Sequence, residues 1–174
     1  EAIALGVRAF VVITAGYGET GEEGRALEAK LRATIRAAGA RMVGPNCMGV
    51  INTDAAVSLN ATFSPTPAVA GSVGFVSQSG ALGVAILNVA AQLGIGLTQF
   101  VSMGNKADVS GNDLVEYWEN NPATKVMCMY LESFGNPRRF TEIAKRVTRK
   151  KPILIVKSGR TAEGARAASS HTGA

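Results

Sequence analysis

The sequence has little cysteine, little histidine and no long apolar run. Its 174 residues include two cysteines, Cys47 and Cys128, and a single histidine, His171. These residues cannot form a disulfide framework or a tetrahedral zinc site, so we expect a reducing, cytoplasmic environment and no metal ligands. Apolar residues make up 47% of the chain. No run approaches the roughly 20 residues that span a bilayer, so we do not expect a membrane protein.

Aromatic residues are also scarce where positive charge is concentrated. The net charge is +5, and ten of the 18 basic residues lie between residues 137 and 174. Nucleic-acid-binding surfaces usually combine such charge with aromatic side chains or a groove-reading module. Only Phe140 lies among these bases. We therefore expect a solvated helix face and no nucleic-acid partner.

Glycine is abundant, with 20 residues distributed along the chain between short apolar segments. Segments typical of buried strands occur at residues 9–14, 73–76, 97–101, 126–131 and 153–156. Between them, apolar residues at helical spacing predict helices near 27–38, 82–93 and 140–147. The first two patterns stop at Gly39 and Gly94, and the third follows the N-cap pair Asn136 and Pro137.

Short strands that alternate with helices predict an α/β fold, with a doubly wound parallel sheet covered by helices on both faces. The pattern lapses after residue 52 into small polar residues and two prolines, and resumes near residue 71. We expect residues 1–52 to close one domain, 53–70 to form a linker and 71–174 to open a second domain. Because the chain begins at Glu1 and not at Met, we expect it to be a piece of a longer protein.

The segment GYGETG at residues 16–21 has the glycine spacing of a dinucleotide-binding turn between a strand and a helix. The next strand supplies no acid for a ribose, and Glu19, Glu22 and Glu23 would repel a pyrophosphate. We interpret the segment as a glycine-rich turn. The hypothesis that the protein is a nucleotide-dependent dehydrogenase would rest on this motif alone.

Polar loops follow four of the predicted strands and should meet at the carboxyl edge of the sheet, where open α/β sheets bind ligands. The segment SQSG at 77–80 opens a helix, a position where free N–H groups and the helix dipole bind phosphate. An ordinary N-cap explains the same residues equally well. Glu132 follows a second strand, and segments 102–106 and 157–160 follow two more.

His171 lies among small residues in the segment SSHTGA. Small neighbours would leave an imidazole free to accept a phosphoryl group, and Glu132 would hold one ring nitrogen while the other attacks. An exposed histidine without a catalytic role is the alternative interpretation.

Four segments, in this order, carry a resemblance to a known family. They are GPNCMGVINT at 44–53, VGFVSQSGALG at 73–83, SMGNKADVSGND at 102–113 and GARAASSHTGA at 164–174. Together they resemble the NDP-forming acyl-CoA synthetases, which include ADP-forming acetate–CoA ligase and the α subunit of succinyl-CoA synthetase. The SHTGA form is similar to the acetate–CoA ligase branch.

The resemblance implies the end of a Rossmann-like CoA-binding domain at 1–52 and a flavodoxin-like domain at 71–174. It also implies an oligomer that works with an ATP-grasp subunit or fused domain. In this family an acyl-CoA and phosphate give an acyl phosphate, whose phosphoryl group moves to a histidine and then to ADP. The reverse direction makes acyl-CoA from a small carboxylic acid, CoA and ATP with Mg²⁺.

The same resemblance suggests roles for single residues at the phosphoryl site. His171 is similar to the phosphorylated histidine and Glu132 to the acid that orients it. Ser77, Ser79 and Gly80 match the helix N-terminus that binds the phosphoryl group.

The resemblance also suggests CoA contacts and one alternative function. Asn46 matches the turn near the CoA thiol end, and Asn105 and Lys106 lie in a loop that faces the same site. The alternative is the ligase-like region of a protein lysine acetyltransferase, which would bind acyl-CoA as a sensor. Many such regulatory copies lose the histidine, so His171 favours the enzyme.

Overall fold

The computed structural model describes residues 1–159, which form four α-helices and eight strands. The helices are α1 (Glu22–Ala37), α2 (Gly80–Gln92), α3 (Gly111–Asn120) and α4 (Pro137–Val147). The strands are β1 (Ala9–Val11), β2 (Arg41–Val43), β3 (Gly49–Asn52), β4 (Leu59–Thr62), β5 (Ala70–Ser77), β6 (Leu97–Ser102), β7 (Val126–Leu131) and β8 (Ile153–Lys157).

The first strands and helix form a small unit. Strands β1 and β2 pair in parallel, and α1 connects them. A small core of Ile35, Ala40 and Met42 packs against Phe10 and Leu31, so the apolar stripe of α1 faces this short sheet. A parallel pair joined by a helix is the arrangement that the predicted strand–helix alternation requires.

The second sheet has six strands in the order β4-β3-β6-β5-β7-β8. Strands β6, β5, β7 and β8 are parallel, whereas β3 is antiparallel to both β4 and β6. The predicted α/β class is confirmed, and the predicted parallel pairing holds for these four strands. The sheet is mixed because β3 and β4, joined by a short loop, add to its edge as a hairpin.

Helices cover both faces of the larger sheet, as predicted. Alternate residues of β5 point to opposite faces: Val76 packs with α3 and α4, and Phe75 packs with the core beneath α2. Trp118 of α3 is fully buried, and a Cβ added at Gly74 would lie 2.7 Å from its ring. This strand therefore needs a residue without a side chain at that position.

Two parts of the structure differ from the sequence-based expectation. The predicted linker at 53–70 contains β4, and β3 belongs to the larger sheet and not to the first unit. The edge strand β4 has the sequence LNAT, in which no residue is buried, so it lacks the apolar run that identified the other strands. Helix α3 was also missed, although Ser110 and Asp113 form a capping box at its start.

The loop after β6 joins the two units. The N–H groups of Asn105, Ala107 and Val109 donate to the carbonyls of Pro45, Gly44 and Met42 at 2.9–3.1 Å. These bonds lie along the end of β2 and the turn that follows it. The loop therefore extends the pairing surface of the small sheet and holds it against the large one.

Asp108, in the middle of this loop, is the buried anchor of the contact. Its carboxylate accepts hydrogen bonds from the Met42 N–H at 2.8 Å and from Arg41 Nε at 3.0 Å, and it forms an ion pair with Arg36. Burial would raise the pKa of Asp108, but the hydrogen bonds and the two guanidinium charges together lower it below its ordinary value of 3.8. The ionised carboxylate is thus the form that the fold stabilises.

We predict that Asp108→Asn lowers the free energy of unfolding by about 1–3 kcal/mol at pH 7, because both arginines lose their buried partner. A folded-state pKa below 3.8 means that this contribution is complete above pH 3.8 and is lost as the pH falls further. Urea unfolding followed by Trp118 fluorescence should therefore show a difference at pH 7 that shrinks in acid. The matched control is Glu142→Gln, since Glu142 is exposed and its ion pair, with Lys145, lies on the surface of α4.

Candidate functional site

The loops after β5, β6 and β7 meet at the carboxyl edge of the large sheet, as the sequence predicted. Gln78 Oε1 accepts hydrogen bonds from the N–H groups of Glu132 at 2.8 Å and Ser133 at 2.9 Å. Lys106 Nζ donates to the carbonyl of Ser133 at 2.8 Å. Gln78 was not among the predicted site residues. The signal available in the sequence was its position between the two serines of the SQSG segment. The structure shows that Gln78 is buried.

The start of α2 uses its serines as a helix cap. Ser79 is the N-cap residue and its hydroxyl accepts from the Leu82 N–H at 3.4 Å. The Ser77 hydroxyl accepts from the Ser79 N–H and donates to the Ser79 carbonyl. Both hydroxyls thus stabilise the turn, as the N-cap interpretation predicts. The N–H groups of Gly80 and Ala81, the first two of the helix, have no intrahelical acceptor.

The turn that contains Asn46 lies against the loop after β6. Asn46 has a left-handed backbone with φ of 55°, and its Nδ2 donates to Asn105 Oδ1 at 3.3 Å. Gly104 makes the closest approach: with φ of 55°, it would place a Cβ 2.2 Å from the carbonyl oxygens of Pro45 and Asn46. Only glycine fits there without displacing the turn.

A cavity of about 250 Å³ connects two of the predicted sites. It lies between the Asn46 turn and the first residues of α2, including Gly80 and Ala81. Gln78 and Cys47 also line it, so polar groups converge on a space beside the free helix N-terminus. This arrangement can hold a small anion next to a larger polar ligand.

Cys47 faces this cavity without the properties of a nucleophile. It is 4% exposed, and its Sγ donates to the Val12 carbonyl at 3.3 Å. Burial raises the pKa of the thiol above its ordinary value of 9.0, so the protonated form prevails at neutral pH. The structure agrees with a structural role.

The GYGETG turn is occupied by its own carboxylate. Glu19 accepts hydrogen bonds from the N–H groups of Gly16 and Tyr17, and Asn105 Nδ2 donates to both Glu19 and Glu28. Burial would raise the pKa of Glu19, but these hydrogen bonds lower it, so the carboxylate is charged where a pyrophosphate would lie. This supports the glycine-rich turn over a dinucleotide site.

Asn105 and Lys106 are neighbours, yet their side chains contact different parts of the structure. Asn105 reaches the first unit, whereas Lys106 reaches the loop after β7. Lys106 is half-buried with φ of 50°. Burial and the charge of Lys157 lower its pKa to about 8, against the opposing effect of Glu132.

His171 lies outside the described residues. Among residues 1–159 no group of three or more histidine, cysteine or acidic side chains is arranged to hold a metal ion. Within the same range, no helix combines the length and apolar character needed to cross a membrane.

Comparison with known proteins places these features in context. The family model described as succinyl-CoA ligase like flavodoxin domain matches residues 70–174. The chain is 48% identical to acetate–CoA ligase (ADP-forming) II subunit alpha of Pyrococcus furiosus, covering 97% of the chain and 36% of that subunit. It is 41% identical to 4-hydroxybutyrate–CoA ligase (ADP-forming) of Nitrosopumilus maritimus, covering 97% of the chain and 24% of that protein.

A solved structure shows the same fold. The dinucleotide-forming acetyl-coenzyme A synthetase 1 of Ca. Korarchaeum cryptofilum, in complex with phosphate and ADP, superimposes with a TM-score of 0.91 at 43% identity. The match covers 99% of this chain and 37% of that one. The chain therefore spans about a third of the length of this structure and of the Pyrococcus furiosus subunit.

We predict that Gly104→Ala destabilises the protein more than Gly94→Ala. Both glycines have a left-handed backbone, but a Cβ at Gly94 meets no atom within 4 Å. The Gly94 substitution should cost about 1–2 kcal/mol for the backbone alone. Gly104→Ala should cost about 1–3 kcal/mol more, because the Asn46 turn must move. Equal losses in urea unfolding would contradict the close contact.

Proposed function

This chain belongs to the family of succinyl-CoA ligase-like flavodoxin domains, and we propose that it is part of an acid–CoA ligase that forms ADP through a phosphohistidine. One observation carries the proposal. The Asn46 turn and the N-terminus of α2 line one polar cavity, and Gln78, which also lines it, binds the backbone of the Glu132 loop.

In the proposed reaction the thioester end of acyl-CoA enters this cavity beside Asn46. Residues 1–52, apart from β3, supply the end of a Rossmann-like CoA-binding domain, and Asn105 braces the Asn46 turn through its side-chain amide. Lys106 lies in the same loop. The cavity is polar where the reacting group would lie, which suits an acyl carbonyl and an incoming phosphate.

Phosphate would bind at the start of α2. The N–H groups of Gly80 and Ala81 and the positive end of the helix dipole stabilise its charge, while Ser77 and Ser79 keep the turn in shape. A phosphate oxygen attacks the acyl carbonyl, the carbon–sulfur bond breaks, and CoA leaves as the thiol. The product is an acyl phosphate held at the same helix.

His171 would then take the phosphoryl group. One imidazole nitrogen attacks phosphorus and the carboxylate leaves, while Glu132 accepts a hydrogen bond from the other ring N–H and stabilises the developing positive charge. ADP, bound with Mg²⁺ on an ATP-grasp subunit or fused domain, finally accepts the phosphoryl group. We place this enzyme in the cytoplasm, as an oligomer.

The acid in the proposed reaction is a small carboxylic acid. The relatives named above act, by their names, on acetate in one case and 4-hydroxybutyrate in another. Both are ligases, which gives the acetyltransferase-linked alternative no support. The dehydrogenase hypothesis has no support either, because the Glu19 carboxylate occupies the glycine-rich turn on which it depended.

The test of this function is the phosphohistidine itself. We expect the complete ligase, with its ATP-grasp part and incubated with ATP and Mg²⁺, to acquire phosphate that is stable in base and labile in acid. His171→Asn should remove the label from this part of the ligase, because His171 is the one histidine among these 174 residues and the proposed relay passes through it. A folded wild-type protein that binds acyl-CoA but acquires no label would contradict the proposal.

Glu132→Gln tests the orienting carboxylate. The amide removes the negative charge that stabilises the imidazolium, so we expect phosphorylation of His171 to slow by about 100-fold or more. The loop should keep its place, because the substitution retains the hydrogen bond from the Glu132 N–H to Gln78. Glu142→Gln, on the exposed side of α4, is the control and should leave the rate unchanged. An equal rate in both variants would argue against the pairing.

A further inference from the structure

The side chain of Lys106 crosses from one strand end to another. It leaves the loop after β6, passes the end of β5 and donates from Nζ to the carbonyl of Ser133 at 2.8 Å, in the loop after β7. Its backbone is left-handed, with φ of 50°, a conformation that residues with a side chain rarely adopt. The loop therefore takes up an unusual geometry at the residue that makes this contact.

This contact completes a clamp on the residue pair that includes Glu132. Gln78 is 2% exposed, and its Oε1 accepts hydrogen bonds from the N–H groups of both Glu132 and Ser133. Lys106 binds the carbonyl of Ser133. The backbone on both sides of the proposed orienting carboxylate is thus held by side chains from two neighbouring strand ends.

The same ammonium lies in an uneven electrostatic environment. The Glu132 carboxylate attracts it, and Lys157, at the end of β8, repels it. These are the charged groups of residues 1–159 that act on Lys106 from the neighbouring strand ends. Half-burial removes water from the amine and, with Lys157, brings its pKa down to about 8.

A positive charge beside Glu132 would help a phosphoryl group to approach the histidine. An anionic carboxylate that orients a histidine also repels a phosphoryl group that approaches the same histidine. An ammonium beside the carboxylate offsets that repulsion without removing the hydrogen-bond acceptor. Lysine suits this task because its three donors can bind a carbonyl and still face an anion.

We propose that Lys106 is a positioning residue for phosphoryl transfer: its ammonium holds the Glu132–Ser133 loop in place and supplies positive charge beside Glu132. The proposal rests on the proposed function. It moves Lys106 from the CoA side of the site, which the family resemblance suggested, to the phosphoryl side.

The test compares Lys106→Met and Lys106→Arg in the complete ligase, with ATP and Mg²⁺ as the probe and acid-labile label as the readout. Each variant keeps a Cβ, so the left-handed backbone is equally strained in all three proteins. We expect Lys106→Met to slow labelling by about 10- to 100-fold, since the Glu132 loop loses its clamp. Lys106→Arg should recover part of the rate because it keeps charge and donors.

The pH dependence separates this role from simple packing. The protonated amine is the active form, so wild-type labelling should decline as the pH rises through about 8. Lys106→Arg should move this decline to higher pH, because a guanidinium stays charged. Lys106→Met should lack the decline altogether.

Lys151→Met is the matched control. Lys151 also binds backbone carbonyls, those of Trp118 and Asn121 at 2.6 Å, but at the opposite end of the sheet. Removal of the Lys151 ammonium should lower the urea concentration at the unfolding midpoint. It should leave the rate of labelling and its pH profile unchanged.

Three outcomes would contradict either the phosphohistidine function or the role of Lys106. Wild-type protein without label contradicts the phosphohistidine function itself. Labelled wild type, with Lys106→Met equal to it in rate and pH profile, overturns only the role of Lys106. If Lys106→Met does not fold, a folded Lys106→Arg whose alkaline decline is unshifted overturns that role as well.

Discussion

The fit between the loop after β6 and the turn after β2 is the constraint on which the site depends. Asp108 anchors this contact through Met42 and two arginines, and Gly104 allows the two backbones to approach. This contact holds the small unit, with the Asn46 turn at its end, against the large sheet that carries α2. The polar cavity exists because this contact brings two chain segments, more than 30 residues apart, to one point.

Charged groups gather at the carboxyl edge of the large sheet because four of its strands are parallel. Strands β5, β6, β7 and β8 end at the same side, so their loops bring the N-terminus of α2, Lys106, Glu132 and Lys157 together. An anion there would meet a helix dipole and, among residues 1–159, the ammonium groups of Lys106 and Lys157 beside the Glu132 carboxylate. Phosphate chemistry suits this combination better than the glycine-rich turn, where Glu19 already occupies the anion position.

Most strands were predictable because they are runs of apolar residues, and β6 and every second residue of β7 are buried on the covered sheet. Strand β4 was not, since an exposed edge strand needs no apolar pattern. Helix α3 was missed because its glycine- and polar-rich start resembles a loop, although its capping box was visible. Only the structure shows that the Ser79 hydroxyl accepts a hydrogen bond from the Leu82 N–H, as an N-cap residue does.

The sequence alone determined the α/β class, the family resemblance and the residues at strand ends, because each depends on local pattern or motif spacing. Tertiary structure decided which of those residues meet. Gln78 binds the Glu132 backbone across 54 positions, and Asp108 binds Met42 across 66. The partner of Lys106 was likewise invisible in sequence. A hydrogen bond depends on the distance and direction between two atoms, and for residues so far apart only the packed fold determines these.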